Sequence, residues 1–88
     1  MRKPFICGNW KMNKTVDEAK NLVSELKELV VDVDDVEIGV CPPAIDLIPV
    51  KEILKDSNIK VGAQNMHWEE SGAFTGELSG PMLKEAGL

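Results

Sequence analysis

Short apolar segments alternate with segments of helical periodicity along the whole chain, and this alternation limits the folds that the chain can adopt. Strands are expected at 4–10, 36–41 and 58–63, and helices at 16–30, about 46–55 and 82–86. Strands that alternate with helices form a parallel sheet, because each helix is a crossover that returns the chain to the same end. The sequence therefore predicts an α/β fold of three βα units with parallel strands and crossover helices. Periodicity alone leaves open whether the sheet is open or closed into a barrel.

Local signals indicate where the helices begin and end. Thr15 and Glu18 have the spacing of a capping box at the start of the first helix. Asp46 is the expected N-cap of the second helix, and Ser79 opens the segment that caps the third. Gly87 provides the expected C-terminal stop of that last helix.

Two expectations concern the core. The first strand is mostly apolar without strict alternation, which is typical of a strand covered on both faces. In the second helix, the buried side is expected to consist of Ile48, Ile53 and Leu54.

Composition excludes several classes of protein. The 88 residues are 43% hydrophobic and 28% charged, so wholesale disorder is not expected, and the net charge of −5 comes without the basic stripe of a nucleic-acid binder. No secretory signal and no run of about 18 apolar residues is visible, so no membrane partner is expected. We therefore expect a cytoplasmic chain in which Cys7 and Cys41 stay reduced.

The run Gly-Asn-Trp-Lys-Met-Asn at 8–13 is the strongest functional signal. It lies where the first strand ends, and the carboxyl ends of parallel strands carry the site residues of α/β proteins. Lys11 offers a compact cation for a phosphate or a developing enolate oxygen, and Asn9 offers a side-chain donor. Taken alone, the lysine also fits a solvated loop position.

Two further runs follow the third strand. The run Val-Gly-Ala-Gln-Asn at 61–65 is by itself typical of an ordinary hydrogen-bonded loop start. The run Gly-Ala-Phe-Thr-Gly-Glu at 72–77 lacks the Gly-Lys-Ser/Thr of a phosphate-binding loop and the apolar surroundings of a transmembrane contact. It predicts a protruding, glycine-hinged loop with one apolar residue, Phe74, and loops of this kind often dock into a partner subunit. His67 has no second ligand at metal-binding spacing, so a surface or loop-packing role is expected and a metal site is not.

These runs, together with Cys-Pro-Pro at 41–43, closely resemble the triosephosphate isomerase family in order and spacing. The resemblance covers essentially all 88 residues and matches the first three βα units of the family's (β/α)₈ TIM barrel. It implies that 1–88 is a single partial barrel segment, in the order strand, helix, strand, helix, strand, long loop and helix. The end of the chain after a helix, where a fourth strand is expected, favours a segment of something larger.

The resemblance also implies an activity and roles for particular residues. The family interconverts dihydroxyacetone phosphate and glyceraldehyde 3-phosphate in glycolysis and gluconeogenesis, through an enediolate and without cofactor or metal. Lys11 is implied as a catalytic and substrate-binding lysine, and Asn9 as a substrate-binding residue. The loop 64–77 is implied as the homodimer loop, whose tip near Thr75 would insert beside the neighbour's site. The dimer-loop residues expected at that tip are Phe74, Thr75, Gly76 and Glu77.

The same resemblance implies that the 88 residues are catalytically incomplete. In this family, a histidine acts as the electrophile and a glutamate acts as the base. Both residues lie in the part of the family's sequence that follows the segment matched by residues 1–88. His67 is not that histidine, and none of Glu69, Glu70 and Glu77 is that base. A positioned base contributes about 10²–10⁴-fold and an oxyanion donor about 10²–10³-fold, so the isolated chain is expected to be inactive.

Two other functions remain open at this point. One is a non-enzymatic βα module that self-associates through sheet edges and apolar faces that three units cannot bury. The other is a small phosphate-binding domain that relies on Lys11.

Overall fold

The computed structural model describes residues 3–88 and contains one sheet of three parallel strands. The strands are β1 (Phe5–Asn9), β2 (Glu37–Cys41) and β3 (Ile59–Val61), in that spatial order. The helices are α1 (Val16–Leu29), α2 (Leu47–Leu54) and α3 (Gly80–Glu85), and a 3₁₀ turn, Ala44–Asp46, precedes α2. Both strand pairs are parallel, with Ile6 opposite Ile38 and Val40 opposite Val61. The predicted order of three βα units is confirmed.

The start of α1 follows the sequence signal closely. The Thr15 hydroxyl accepts the Glu18 backbone N–H, and the Glu18 carboxylate accepts the Thr15 backbone N–H, so the predicted capping box is present. Ala19 and Val23, one helical turn apart, are fully buried. These two residues define the helix face that packs into the core.

The start of α2 differs from the prediction. Asp46 lies in the 3₁₀ turn with φ −97° and ψ −7°, and its side chain makes no capping hydrogen bond. An N-cap side chain reaches forward only from an extended backbone, so Asp46, already wound into a turn, cannot cap the helix. The side chain is instead fully buried.

The buried side of α2 is also displaced from the predicted one. Leu47, Val50 and Leu54 are buried at helical spacing, whereas Ile48 is 68% exposed and Ile53 is only half-buried. Ile48 follows Leu47 directly, which places it about 100° around the helix from the buried stripe. The prediction for Leu54 is therefore confirmed and that for Ile48 is wrong.

The core lies on one side of the sheet, between the strands and the first two helices. Val40, Ile59 and Val61 face this side and pack into one cluster with the buried residues of α1 and α2. Leu83 of α3 packs against the margin of the same cluster.

The opposite side of the sheet, which we call the open face, includes Phe5, Cys7, Asn9, Gly39 and Cys41, by the strand register and the alternation of side chains. A Cβ on Gly39 would lie 2.8 Å from the Phe5 ring, so the glycine lets that ring lie over β2. All five residues of β1 are exposed, which contradicts the expectation that this strand is covered on both faces. The reason is that α2 packs on β3 and α1 packs on α2, so neither helix covers β1.

Candidate active-site segment

The carboxyl ends of the three strands bring three sequence-distant segments together. Asn9 ends β1, Cys41 ends β2, and Gln64 follows β3 by three residues. Trp10 continues the ladder, since its backbone N–H donates to the Cys41 carbonyl at 3.2 Å. The site predicted at this edge therefore has a structural frame that involves all three strands.

Asn9 and Lys11 are in direct contact. The Lys11 backbone N–H donates to Asn9 Oδ1 at 2.8 Å. Because a backbone N–H can only donate, the oxygen of the Asn9 amide must face Lys11, and its NH₂ group is directed elsewhere. The structure thus brings the two predicted site residues together and leaves the donor end of Asn9 for another partner.

The backbone at Lys11 has an unusual conformation. Its φ is +55°, in the left-handed region that non-glycine residues seldom occupy, and Lys14 follows with φ +84°. The turn between them is held by Asn13, whose Nδ2 donates to the Trp10 carbonyl at 2.7 Å. Such strained backbone persists only where surrounding contacts impose it, and it is concentrated at functional sites.

The Lys11 side chain is exposed, and no carboxylate among the described residues pairs with its ammonium group. The ion pairs found in residues 3–88 are Lys55–Glu52 at 3.0 Å and Lys60–Glu37 at 3.6 Å, and neither involves Lys11. An ammonium group without a carboxylate partner attracts anions such as a phosphate.

Gln64 connects the three strand ends through one side-chain nitrogen. Its Nε2 donates to the Lys11 carbonyl at 2.9 Å and to the Cys41 carbonyl at 2.8 Å. By sequence alone, the run around Gln64 is typical of an ordinary loop start. No local signal reveals this contact, since 53 residues separate Gln64 from Lys11.

The two thiols lie side by side on the open face, a contact that the sequence did not predict. Cys7 Sγ and Cys41 Sγ are 3.4 Å apart and within hydrogen-bond distance. Burial raises the pKa of the Cys41 thiol above its ordinary 9.0, and the hydrogen bond with Cys7 raises it further. Both cysteines are free, and Cys41 is protonated at neutral pH.

The loop after β3 folds back on itself. His67 stacks against Phe74 with ring centroids 4.2 Å apart, and its backbone N–H donates to the Leu78 carbonyl at 2.8 Å. Gly72 and Gly76 have φ of +140° and +87°, which allows the tight turns around Phe74. The predicted tip residues Phe74, Thr75, Gly76 and Glu77 are all exposed. His67 packs within the loop, as expected.

Asp46 is a buried carboxyl group that the sequence analysis placed at a helix cap. Both of its oxygens lack a hydrogen-bond partner. Burial raises the pKa of Asp46 above its ordinary 3.8, and the nearby charge of Glu18 adds to the rise.

Across residues 3–88, no group of three or more His, Cys, Asp and Glu side chains is arranged to hold a metal ion. Within the same range, no helix is long and apolar enough to cross a membrane.

Comparison with known proteins then decides the family. The family model described as triosephosphate isomerase matches residues 4–88. The chain belongs to the triosephosphate isomerase family. It is 58% identical to the triosephosphate isomerase of Carboxydothermus hydrogenoformans and 60% identical to that of Clostridium botulinum strain Loch Maree, over 88 residues in each case.

A solved structure supports the same assignment of fold. The crystal structure of triosephosphate isomerase from Bartonella henselae superposes with a TM-score of 0.89 at 38% identity, over 98% of this chain. The three βα units are therefore those of a TIM barrel, as the resemblance implied. The chain spans 35% of the length of each of these three relatives.

Proposed function

We propose that this chain is the N-terminal third of a triosephosphate isomerase and supplies part of the site that interconverts dihydroxyacetone phosphate and glyceraldehyde 3-phosphate. The single observation that carries the proposal is the contact between Asn9 and Lys11 at the carboxyl edge of the sheet, with Lys11 in a left-handed conformation. Active sites of TIM barrels are built at this edge.

Lys11 has the chemistry to bind and stabilise negative charge. Its ammonium group attracts the phosphate of the substrate and stabilises the charge that develops on the enediolate oxygen. It is a fixed charge, since no proton transfer is required of it. The role therefore depends on where the lysine is held.

Asn9 complements Lys11 as a neutral donor. Its Oδ1 accepts the Lys11 N–H, so its NH₂ group is the end that can donate to a substrate oxygen. A donor aimed at the oxygen where charge develops lowers the barrier more than it improves substrate binding.

The loop 64–77 is proposed as the contact with a second subunit. Phe74 is 44% exposed at the tip, beside Thr75, Gly76 and Glu77. The stack of His67 on Phe74 holds the tip in shape before any partner arrives, which lowers the entropy cost of docking. We propose a homodimer in which this tip lies beside the neighbour's Asn9 and Lys11.

The remaining parts of the proposal concern context. The 88 residues form a single partial barrel segment that lacks a general base and an electrophilic histidine, so the isolated chain is inactive. The protein acts in the cytoplasm, in glycolysis and gluconeogenesis, without a nucleic-acid or membrane partner.

The test is to graft residues 1–88 in place of the matching segment of the Carboxydothermus relative, in a host that lacks its own isomerase. The grafted protein should convert glyceraldehyde 3-phosphate, and Lys11→Ala should lower kcat/KM by more than about 10²-fold. The isolated 88-residue chain, assayed in parallel with its own Lys11→Ala variant, should show no activity.

Two results would count against the proposal. A folded but inactive graft would refute the assigned role of this segment. Activity of the isolated chain that disappears in Lys11→Ala would refute its catalytic incompleteness. Equal activity of the isolated wild type and variant would identify contamination by host enzyme.

A second candidate function is supported by the exposure of β1. All five of its residues are exposed, and the strand occupies an edge of the sheet. An uncovered edge strand is a surface for self-association, so a non-enzymatic self-associating module is the alternative.

A further inference from the structure

We propose that Gln64 is a positioning residue, which holds Lys11 in its left-handed conformation and thereby aims the lysine at the substrate. The inference rests on the proposed function of Lys11. It adds to the site a residue whose side-chain hydrogen bonds go to the backbone carbonyls of Lys11 and Cys41 rather than to the lysine's ammonium group.

The backbone of Lys11 is held on both sides by side-chain amides. Its N–H donates to Asn9 Oδ1 at 2.8 Å, and its C=O accepts from Gln64 Nε2 at 2.9 Å. A left-handed non-glycine residue relaxes to an ordinary conformation unless surrounding contacts prevent it. These two hydrogen bonds supply that restraint from opposite ends of the residue.

Gln64 is suited to this task because it uses both N–H groups of one nitrogen. One is donated to Lys11 and the other to the Cys41 carbonyl at 2.8 Å. The second bond anchors the amide to the end of β2, so the position of Lys11 is set by the sheet rather than by a free loop. A glutamate of the same length loses both donors when ionised and faces two carbonyl oxygens.

The consequence for chemistry follows from geometry. Lys11 acts as a point charge on a flexible stem, and the stem begins at the restrained Cα. Displacement of a site group by about 1 Å can lower a rate by about 10²-fold. Loss of the Gln64 bonds should therefore reduce catalysis through Lys11, although Gln64 bonds to the Lys11 backbone and not to its ammonium group.

The chain contains a matched control for the loss of two hydrogen bonds. Asn58 Nδ2 also donates to two backbone carbonyls, those of Val30 at 2.8 Å and Val33 at 2.9 Å. It precedes β3, at the end of that strand opposite to Gln64. Asn58→Asp removes the same number and kind of bonds without contact with the Lys11 turn.

The first measurement uses the 88-residue chain and does not depend on activity. The three-bond coupling between the amide proton and Hα of Lys11 reports its φ angle by NMR. Gln64→Glu, and Gln64→Met as a variant without added charge, should change this coupling, and Asn58→Asp should leave it unchanged. A Lys11 coupling that is the same in all four proteins overturns the proposal.

The second measurement uses the grafted full-length isomerase. Gln64→Glu and Gln64→Met should lower kcat/KM by about 10- to 100-fold, and Asn58→Asp should not. In a Lys11→Ala background, the Gln64 variants should cause no further loss, because their effect passes through the lysine. A full further loss in that background, or an equal loss from Asn58→Asp, overturns the proposal.

The two measurements separate this inference from the proposed function. An inactive wild-type graft would refute the proposed function, and the Lys11 coupling would still decide whether Gln64 sets the Lys11 backbone. An active graft with an unchanged coupling would preserve the proposed function and refute the role of Gln64.

Discussion

Asp46 is an acidic residue in a buried position, and this burial leads to a prediction on the pH dependence of stability. Its fully buried carboxyl has no hydrogen-bond partner, and burial followed by the charge of Glu18 raises its pKa above 3.8. The folded state therefore binds a proton more tightly than the unfolded state does. Stability should fall as pH rises from about 3.8 through the folded pKa of Asp46, because ionisation is then favoured by unfolding.

Asp46→Asn tests this prediction, because the amide has nearly the same shape and no charge. In urea unfolding from pH 3 to pH 7, the variant should gain free energy of unfolding relative to wild type as pH rises. Asp35→Asn, which removes a carboxylate at an exposed position, is the matched control. A difference between Asp46→Asn and wild type that does not change with pH would contradict the prediction.

At the scale of single residues, the chemical role of a side chain is easier to predict from the sequence than its contact partners. Lys11 and Asn9 were found from residue type and position after a strand, and the structure places them together at 2.8 Å. The Gln64–Lys11 and Cys7–Cys41 contacts were not found, because each joins residues more than 30 positions apart. Asp46 was misassigned, because its residue type is common at caps while the 3₁₀ turn that excludes capping has no comparable signal.

Among the secondary-structure elements, α1 has the best-defined start, which gives a prediction on stability. Thr15→Ala removes the hydroxyl that accepts the Glu18 N–H at 3.3 Å. The expected loss in free energy of unfolding is about 0.5–2 kcal/mol, the usual range for removing an N-cap side chain. Urea unfolding at pH 7 measures this free energy. Thr15→Ser keeps the hydroxyl and should therefore be almost as stable as the wild type.

The other half of the capping box gives this effect a pH dependence. The Thr15 backbone N–H, then the Thr15 hydroxyl, lower the pKa of Glu18 below its ordinary 4.5. The stabilisation by Glu18 is therefore present above pH 4.5 and is lost as pH falls through the folded pKa. The advantage of wild type over Glu18→Gln should shrink in that window, and an advantage that stays constant to pH 3 would contradict the assignment.

For whole helices and strands, prediction from sequence succeeded for features that depend only on the residues of the element itself. The capping box and the helical spacing of α1 are local, and both are confirmed. The exposure of β1 was predicted wrongly, because burial depends on which other elements cover a strand. An apolar strand sequence indicates that the strand needs to be buried by other elements. It does not show which elements those are or whether the chain contains them.

At the scale of the molecule, no helix of residues 3–88 covers β1 at the edge of the sheet. The core lies between β2, β3 and the first two helices, while β1 shows Phe5 and Ile6 exposed by 52% and 61%. The relatives are nearly three times as long as this chain, since it spans 35% of their length. The exposed strand and the incomplete catalytic set thus have the same explanation under the proposed function, namely that further βα units complete both.

The last prediction concerns the isolated chain in solution, where the edge of β1 is available for pairing. An exposed edge strand with apolar side chains favours association with another copy, so the weight-average mass from sedimentation should rise with concentration. Ile6→Lys should reduce this association, because the charge lies on the edge strand. Ile48→Lys is the matched control, since Ile48 is 68% exposed on α2, away from that edge.

The outcomes distinguish the two candidate functions. A strictly monomeric chain at every concentration, or equal effects of the two lysine variants, would contradict association through β1. The isolated chain and the grafted isomerase are compared at the same molar concentration of chains. If the isolated chain associates and the graft forms nothing larger than its dimer, the added βα units cover the β1 edge. Association of that kind is a consequence of the missing units. If the graft still associates through β1, the self-associating module is favoured instead. The added βα units would then have failed to prevent the association.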